Sequence, residues 1–86
     1  MSQLFARNAL IRVKPAQVAL CESNSAFYNK VAAGTLTRPI KTGARAAAVP
    51  LREIDALNAA RIAGYSEAGM KALVLKLHAE RLTVEA

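Results

Sequence analysis

The side chains between residues 23 and 30 have the chemistry needed to recognise another molecule at its polar surface. The segment reads SNSAFYNK, and its candidate contact residues are Ser23, Asn24, Ser25, Tyr28, Asn29 and Lys30. An asparagine amide offers a paired donor and acceptor to a base edge, serine is adaptable, and tyrosine and lysine reach phosphates. The cluster therefore predicts contact with DNA. For Ser23 taken alone, capping of a helix is the preferred interpretation.

A second group of candidate residues is cationic and has small neighbours. The run RPIKTGARAAAV, residues 38–49, contains no acidic residue. Gly43 and Ala44 are predicted to be the two central residues of a type II′ turn, with Arg45 on the second strand of the resulting hairpin. A small tip would let this ribbon approach phosphates or enter a minor groove. The candidate contacts here are Arg38, Lys41, Thr42, Gly43 and Arg45, with Arg12 and Lys14 as additional phosphate contacts.

Residue types that support catalysis or metal binding are sparse. One cysteine and one histidine, Cys21 and His78, exclude an internal disulfide and cannot build a four-ligand zinc site. We expect Cys21 to be a buried small hydrophobe and His78 a surface imidazole, rather than a nucleophile and its base. Glu53 and Asp55 lie two apart on a predicted helix, so they do not face each other. The sequence therefore predicts a protein that is not an enzyme and that binds no cofactor, metal or small-molecule substrate.

A strand and a short helix are predicted to precede the first cluster. LIRVK, residues 10–14, alternates apolar and basic side chains as a short strand does. Pro15 suits the first turn of a helix over residues 15–21, because its missing N–H is not needed there. The inward residues of this helix would be Val18 and either Leu20 or Cys21.

The cluster itself falls on a second predicted helix. Ser23 is a candidate for its N-terminal cap, and Gly34 is placed where a left-handed residue would end it. Phe27 and Val31 are four residues apart and should face the core. Two short helices separated by a few residues predict a helix-turn-helix, and the hairpin that follows would be its wing.

Two further helices are predicted after the hairpin. The first spans residues 50–63, with Pro50 at its start and Glu53 and Asp55 in its first turns, where acids complement the helix dipole. Its inward side would carry Leu51, Ile54, Leu57 and either Arg61 or Ile62. The second spans residues 66–82, is capped by Ser66, and has an apolar stripe formed by Met70, Leu73, Val74 and Leu77. This stripe either enlarges a thin core or contacts a second copy or another protein.

The charge distribution favours a polyanionic partner for the first half of the chain. The 86 residues carry a net charge of +6. From Met1 to Arg52 eight basic residues face one acidic residue, Glu22, whereas from Glu53 onward four basic residues face five acidic ones. A one-sided distribution of this kind is typical of nucleic-acid-binding modules. With no long apolar run and a single cysteine, we expect a cytoplasmic protein without a membrane partner.

The order and spacing of these segments resemble a known family. From Leu10 to about Arg61 the chain is similar to the AlpA-type prophage regulators, small winged-helix relatives of MerR-like DNA-binding domains and of phage excisionases. LIRVKPAQVAL resembles the family's opening, and SNSAFY its Ser-x-Ser-x-x-Tyr recognition segment. The wing motif is matched by Gly34, Pro39, Ile40, Lys41, Gly43 and Arg45. The chain departs from the pattern at Cys21, where the family has Gly, at Leu36 and Thr37, where it has an aromatic-Pro pair, and at Val49 and Leu57, where it has Trp.

The resemblance implies a site-specific DNA-binding protein of a mobile element or prophage. Such a protein acts on an attachment site as an excisionase, also called a recombination directionality factor, or on a promoter as a regulator of excision genes. An integrase and further copies of the chain, held through the C-terminal helix, are its implied partners. The alternative from another class is an interaction subunit without DNA, antitoxin-like or an anti-regulator, that uses the same helix.

The predicted organisation follows from these segments. The fold class is mainly α with a small β-hairpin, a winged helix-turn-helix plus an additional C-terminal helix. Residues 1–9 would be a flexible arm, residues 10–63 the DNA-binding domain, and residues 64–86 a core extension or an interaction element.

Overall fold

Residues 9–83, which the computed structural model describes, form four α-helices and a three-stranded antiparallel sheet. In chain order the elements are β1 (Leu10–Arg12), α1 (Val13–Ala19), α2 (Asn24–Ala33), β2 (Ile40–Gly43), β3 (Ala46–Pro50), α3 (Leu51–Ala63), α4 (Glu67–Glu80) and a 3₁₀ turn (Arg81–Thr83). The mainly helical class with a small hairpin, predicted from the sequence, is confirmed at this level. Apart from Ala9, the predicted arm over residues 1–9 lies outside the described residues.

The sheet joins the start of the domain to the hairpin. Its strand order is β1-β3-β2, with both neighbours antiparallel to β3. Leu10 pairs with Pro50 and Arg12 with Ala48, and the Leu51 amide donates to the Ala9 carbonyl at 2.8 Å. The strand predicted over residues 10–14 is therefore present but shorter, because the chain turns into α1 at Val13. β1 places Arg12 alongside the hairpin, a pairing that the sequence did not predict.

The hairpin turn differs from the predicted one. Its two central residues are Ala44 and Arg45, whereas Gly43 ends β2 and pairs with Ala46. Gly43 also lacks the positive φ that the first central position of a type II′ turn requires. The cause is a bulge: Lys41 pairs with Ala47 and Gly43 with Ala46, so Thr42 is an extra residue. This shift moves the turn one residue along the chain and carries Arg45 from the predicted strand to the tip.

The first helix differs from the prediction in both position and phase. It begins at Val13 rather than residue 15, and its buried face consists of Ala16 and Gln17, followed by Leu20 just past its end. Val18, predicted to face inward, is 80% exposed. Ala16 and Leu20 are four residues apart and therefore share one face, which leaves Val18 on the opposite side. Cys21, predicted to be buried, is also exposed.

Three helices end in the same way, with one residue in the left-handed region. Cys21 has φ 60°, Gly34 φ 86° and Gly64 φ 84°. After α1, the Cys21 and Glu22 amides donate to the Val18 and Gln17 carbonyls at 3.0 and 2.8 Å, which is the Schellman pattern. The ends predicted at Gly34 and Gly64 are confirmed. The predicted caps are confirmed as well, since the Ser23 and Ser66 hydroxyls accept hydrogen bonds from the Ala26 and Gly69 amides.

The core is aliphatic with one aromatic ring, and every helix contributes to it. Its buried members are Ala16, Leu20, Phe27, Leu36, Val49, Ile54, Leu57, Ala60, Met70, Val74 and Leu77. Val31 and Leu73 pack against this cluster from its edge. The inward residues predicted for α2 and α4 are thus confirmed, and α4 completes the core. The sequence left two alternatives for the inward side of α3, Arg61 and Ile62. Arg61 is half-buried and Ile62 is 87% exposed, so the inward residue is Arg61.

A buried ion pair fastens the turn beyond α4 to α3. Glu53 is 1% exposed, and Arg81 donates to its two carboxylate oxygens from Nε at 2.8 Å and from Nη2 at 2.7 Å. A bidentate pair of this kind holds both side chains in one geometry. Glu53 is therefore more than the first-turn acid that the sequence indicated. The helices of residues 9–83 reach at most 14 residues, and none is long and apolar enough to cross a membrane.

Candidate nucleic-acid interface

A basic groove of ≈ 440 Å³ lies where the start of α1, the first turns of α2 and the start of β3 meet. Its lining residues are Arg12, Val13, Lys14, Pro15, Asn24, Tyr28, Arg45, Ala46 and Ala47. Three of them are cationic and none is acidic. Two more are polar side chains from α2, Asn24 and Tyr28, and the other four are small or apolar. Among residues 9–83 none of the three cations forms a salt bridge, so the basic groove combines positive charge with hydrogen-bonding groups.

Three sets of residues that the sequence singled out separately meet in this groove. Asn24 and Tyr28 come from the predicted recognition helix, Arg45 from the hairpin, and Arg12 and Lys14 from the predicted strand. The pairing of β1 with β3 brings Arg12 beside the hairpin. The bulge at β2 carries Arg45 to the tip. The convergence thus depends on the sheet, which positions two of the three sets.

The other polar residues of α2 are divided between capping and solvent. Ser23 accepts a hydrogen bond from the Ala26 amide at 3.2 Å, so its hydroxyl serves the cap. Ser25 and Asn29 are exposed but do not line the basic groove. Tyr28 is 46% exposed, and its ring meets the buried Phe27 ring at 5.0 Å in a T-shaped arrangement. Because Phe27 is fixed in the core, this contact orients the Tyr28 ring toward the groove.

Lys30 lies outside the basic groove and faces a carboxylate. Its Nζ is 2.7 Å from Glu22, and the Arg61 guanidinium lies 2.6 Å from the same oxygen. Burial raises the pKa of Glu22, but the hydrogen bonds and the positive charges of Lys30 and Arg61 together outweigh it, and the net pKa is below the usual 4.5. Lys30 instead lines a second depression, shared with α3 and α4. Much of its charge is compensated within the protein.

Arg38 is tied to α4 rather than projecting from the hairpin tip. Its amide donates to His78 Nε2 at 3.2 Å, and its carbonyl accepts from Arg81 at 2.7 Å. The Arg38 guanidinium lies 3.2 Å from the other ring nitrogen, Nδ1. Burial, followed by the charges of Arg38 and Arg81, lowers the pKa of His78. The histidine that the sequence placed on the surface is thus half-buried and bonds to the segment that leads into β2.

The remaining hairpin candidates lie along the outer strand. Lys41, Thr42 and Gly43 are exposed on β2, which forms an edge of the sheet. Lys41 pairs in register with Ala47, one of the groove residues. Among residues 9–83, neither Lys41 nor Arg45 forms a salt bridge.

Gln17 is the residue near this site that sequence reasoning missed. It is 5% exposed, and its Nε2 donates to Asn24 Oδ1 at 3.0 Å. One sequence feature could have identified it: the Gln17 side-chain amide lies beside Ala16 and Leu20 on the apolar side of a short helix. A buried amide requires a partner, so its position next to the core indicated a hydrogen bond. The sequence alone did not say that the partner was Asn24.

α4 presents a second apolar surface on its outer side. Leu75 is 71% exposed, and Leu82 in the following turn is 89% exposed. Tyr65 and Ile62, at the junction of α3 and α4, are exposed too. These side chains lie apart from the basic groove and do not contribute to the core.

Within residues 9–83, no cluster of three or more histidine, cysteine, aspartate or glutamate residues is arranged to hold a metal ion. Comparison with known proteins finds no matching family model, no matching curated protein and no matching solved structure.

Proposed function

We propose that this chain is a sequence-specific double-stranded DNA-binding protein of the winged helix-turn-helix type. In this proposal α2 enters the major groove, and the β2–β3 hairpin contacts the backbone or the minor groove. The observation that carries it is the convergence of Arg12, Lys14 and Arg45 with Asn24 and Tyr28 around one groove without a carboxylate. Cations position a protein on phosphates, and amides at the start of a helix reach base edges.

The distribution of acids supports the same proposal. Glu22 is committed to Lys30 and Arg61, and Glu53 to Arg81. Within the described part of the chain, these carboxylates pair with cations away from the basic groove, and no salt bridge involves the cations inside it. A field of one sign in a concave surface raises the local concentration of a polyanion and speeds its association.

The biological role proposed follows from the resemblance to AlpA-type regulators. The protein would act in the cytoplasm on DNA of a mobile element or prophage, either as an excisionase beside an integrase or as a regulator at a promoter. Both roles use the same DNA-binding surface. The proposal involves no catalytic step, no cofactor and no metal.

Salt dependence of duplex binding tests this function. Arg12, Lys14, Lys41 and Arg45 give about four phosphate contacts, so the logarithm of the association constant should fall with that of salt with a slope of about −4. Arg45→Ala should weaken binding to all duplexes and make the slope less steep by about 1. Lys76→Ala is the matched control, since Lys76 is an exposed cation on α4 outside the groove. A flat slope, or equal effects of the two substitutions, would rule out the proposed interface.

The outer face of α4 favours a second candidate, an interaction subunit that binds protein rather than DNA. This candidate rests on the exposure of two large apolar side chains, Leu75 and Leu82. Under this alternative, Leu75→Glu abolishes partner binding and Arg45→Ala leaves it intact. Under the DNA proposal, Leu75→Glu leaves binding to a single site unchanged and affects only the assembly of neighbouring copies.

A further inference from the structure

A partly buried hydrogen bond links the two helices of the proposed helix-turn-helix. Gln17 lies near the end of α1 and is 5% exposed, whereas Asn24 is the first residue of α2 and is exposed. The Gln17 Nε2 atom donates to Asn24 Oδ1 at 3.0 Å. One partner is therefore fixed by the core, and the other lines the basic groove.

This bond selects one orientation of the Asn24 amide. The terminal torsion of an asparagine is broad, so an unrestrained amide presents either its oxygen or its nitrogen to a ligand. With Oδ1 turned to Gln17, the nitrogen Nδ2 lies on the other side of the carboxamide. The amide nitrogen carries two N–H donors and no acceptor. The edge of Asn24 that is turned away from Gln17 is therefore a hydrogen-bond donor.

We propose that Gln17 is a positioning residue that sets the base preference of Asn24. This inference rests on the proposed DNA-binding function. A fixed donor selects base edges that accept: guanine, with N7 and O6 in the major groove, or thymine, with O4. It disfavours cytosine, whose N4 group is a donor, and the bond from Gln17 occupies one of the two lone pairs of Oδ1, which restricts the bidentate pairing with adenine. The hydrogen bond from Gln17 therefore favours guanine or thymine at this step over the adenine that an unrestrained asparagine suggests.

The competing explanation is that the bond only satisfies a buried amide. Gln17→Met separates the two, because methionine has a similar length and is favourable in the core but cannot hydrogen-bond to Asn24. If Gln17 only needs a partner, Gln17→Met leaves the base preference unchanged. If it positions Asn24, the preference is lost although Asn24 is still present.

The experiment selects bound duplexes from a randomised DNA library with wild type, Asn24→Ala and Gln17→Met. We expect Asn24→Ala to identify one base step where preference relaxes, and wild type to prefer guanine or thymine at that step. Gln17→Met should relax the same step and no other, by about 5- to 150-fold. The double variant should be no more relaxed than either single variant, because the two residues act through one contact.

A further variant, Asn24→Asp, tests the inference without touching the core. Aspartate presents oxygen on both sides of its carboxylate, so its groove edge accepts hydrogen bonds. The preference at the same step should move to cytosine or adenine, whose N4 and N6 groups donate. Affinity for all duplexes should fall together, because a negative charge enters the basic groove. Comparison of the base preferences of wild type and Asn24→Asp tests whether this edge of Asn24 is a donor, even if Gln17→Met does not fold.

Several results would overturn the inference while leaving DNA binding intact. They are a wild-type preference for adenine or cytosine at the Asn24 step, a Gln17→Met variant that folds and keeps that preference, and an Asn24→Ala variant that relaxes no step. Failure of the proposed function is distinguishable, since then the wild-type protein binds no duplex at any salt concentration.

Discussion

Cys21 occupies a backbone conformation that usually belongs to glycine. Its φ of 60° closes the Schellman motif after α1, where the corresponding residues after α2 and α3 are Gly34 and Gly64. A side chain in this region costs about 1 to 2 kcal/mol because Cβ approaches the following carbonyl oxygen. The thiol itself is exposed. The residue therefore imposes strain without contributing to the core.

Cys21→Gly should stabilise the domain. Relief of the left-handed strain, reduced by the greater chain entropy of glycine in the unfolded state, leaves a gain of about 0.5 to 1 kcal/mol in the free energy of unfolding. Urea denaturation followed by circular dichroism measures it. Cys21→Ala is the control and should not share the gain, because alanine retains Cβ. Equal stability of the two variants would show that strain at this position is negligible.

Single residues with local functions were predicted well from the sequence. Ser23 and Ser66 cap helices, and Gly34 and Gly64 end them, because each function depends on only a few neighbouring residues. Cys21 was not predicted, since its conformation is required by the turn into α2 rather than by its own preference. Gln17 was missed for a related reason: its partner lies on another helix.

The last helix is attached to the rest of the domain by polar as well as apolar contacts. Met70, Val74 and Leu77 enter the core, and the Glu53–Arg81 pair fastens the turn beyond α4 to α3. Arg81 also donates to the Arg38 carbonyl, so one guanidinium links α3, α4 and the approach to β2. Loss of this guanidinium should therefore loosen three elements together.

Arg81→Met should destabilise the domain strongly. It leaves the Glu53 carboxylate buried without its partner, which typically costs about 3 to 5 kcal/mol. The double variant Glu53→Met with Arg81→Met should recover most of the loss, since two apolar side chains replace the pair. Urea midpoints of the four proteins give this comparison. If the double variant is as unstable as Arg81→Met, the loss comes from packing rather than from the unpaired charge.

At the level of elements, periodicity predicted α2, α3 and α4 with nearly correct bounds, because each has an apolar stripe of helical spacing. α1 was misplaced because it has only seven residues, too few to define a phase. The hairpin was predicted, but its turn was not. The bulge at Thr42 depends on how β2 pairs with β3, and Gly43 alone suggested a tighter turn.

At the scale of the molecule, the charges of residues 9–83 divide into a set paired within the protein and a set that forms no salt bridge. Composition showed an excess of cations in the first half of the chain, but it did not show which of them are paired. In the fold, Glu22 pairs with Lys30 and Arg61, whereas Arg12, Lys14 and Arg45 lie together around the basic groove. Such pairings join residues distant in sequence, which is why the convergence of the candidate residues could not be derived before the fold was known.

Acid should weaken the whole domain in two steps. Burial and the charges of Arg38 and Arg81 hold the pKa of His78 below its ordinary 6.5, although Glu53 acts in the opposite direction. The neutral ring is also needed to accept the Arg38 amide at Nε2. Below pH 6.5 the unfolded chain therefore binds a proton that the folded protein resists, and stability falls as pH falls. Glu22 adds a second loss below pH 4.5, since its folded pKa is lowered.

Unfolding free energies measured from about pH 8 to about pH 2 test both steps, because the Glu22 step begins only below pH 4.5. His78→Gln should abolish the step near pH 6.5, because glutamine accepts the same hydrogen bond but does not titrate in this range. The step below pH 4.5 should persist in that variant and become smaller in Glu22→Gln. A His78→Gln protein that keeps the first step would show that another group is responsible for it.

Tyr28 also provides an intrinsic fluorescence signal from the basic groove. The chain has no tryptophan and two tyrosines, of which Tyr28 lines the basic groove and Tyr65 lines the depression on the other side of α2. In a Tyr65→Phe variant, tyrosine fluorescence comes from Tyr28 alone. A base or sugar that enters the groove would change the emission of this ring, so occupancy can be followed by fluorescence without an attached dye.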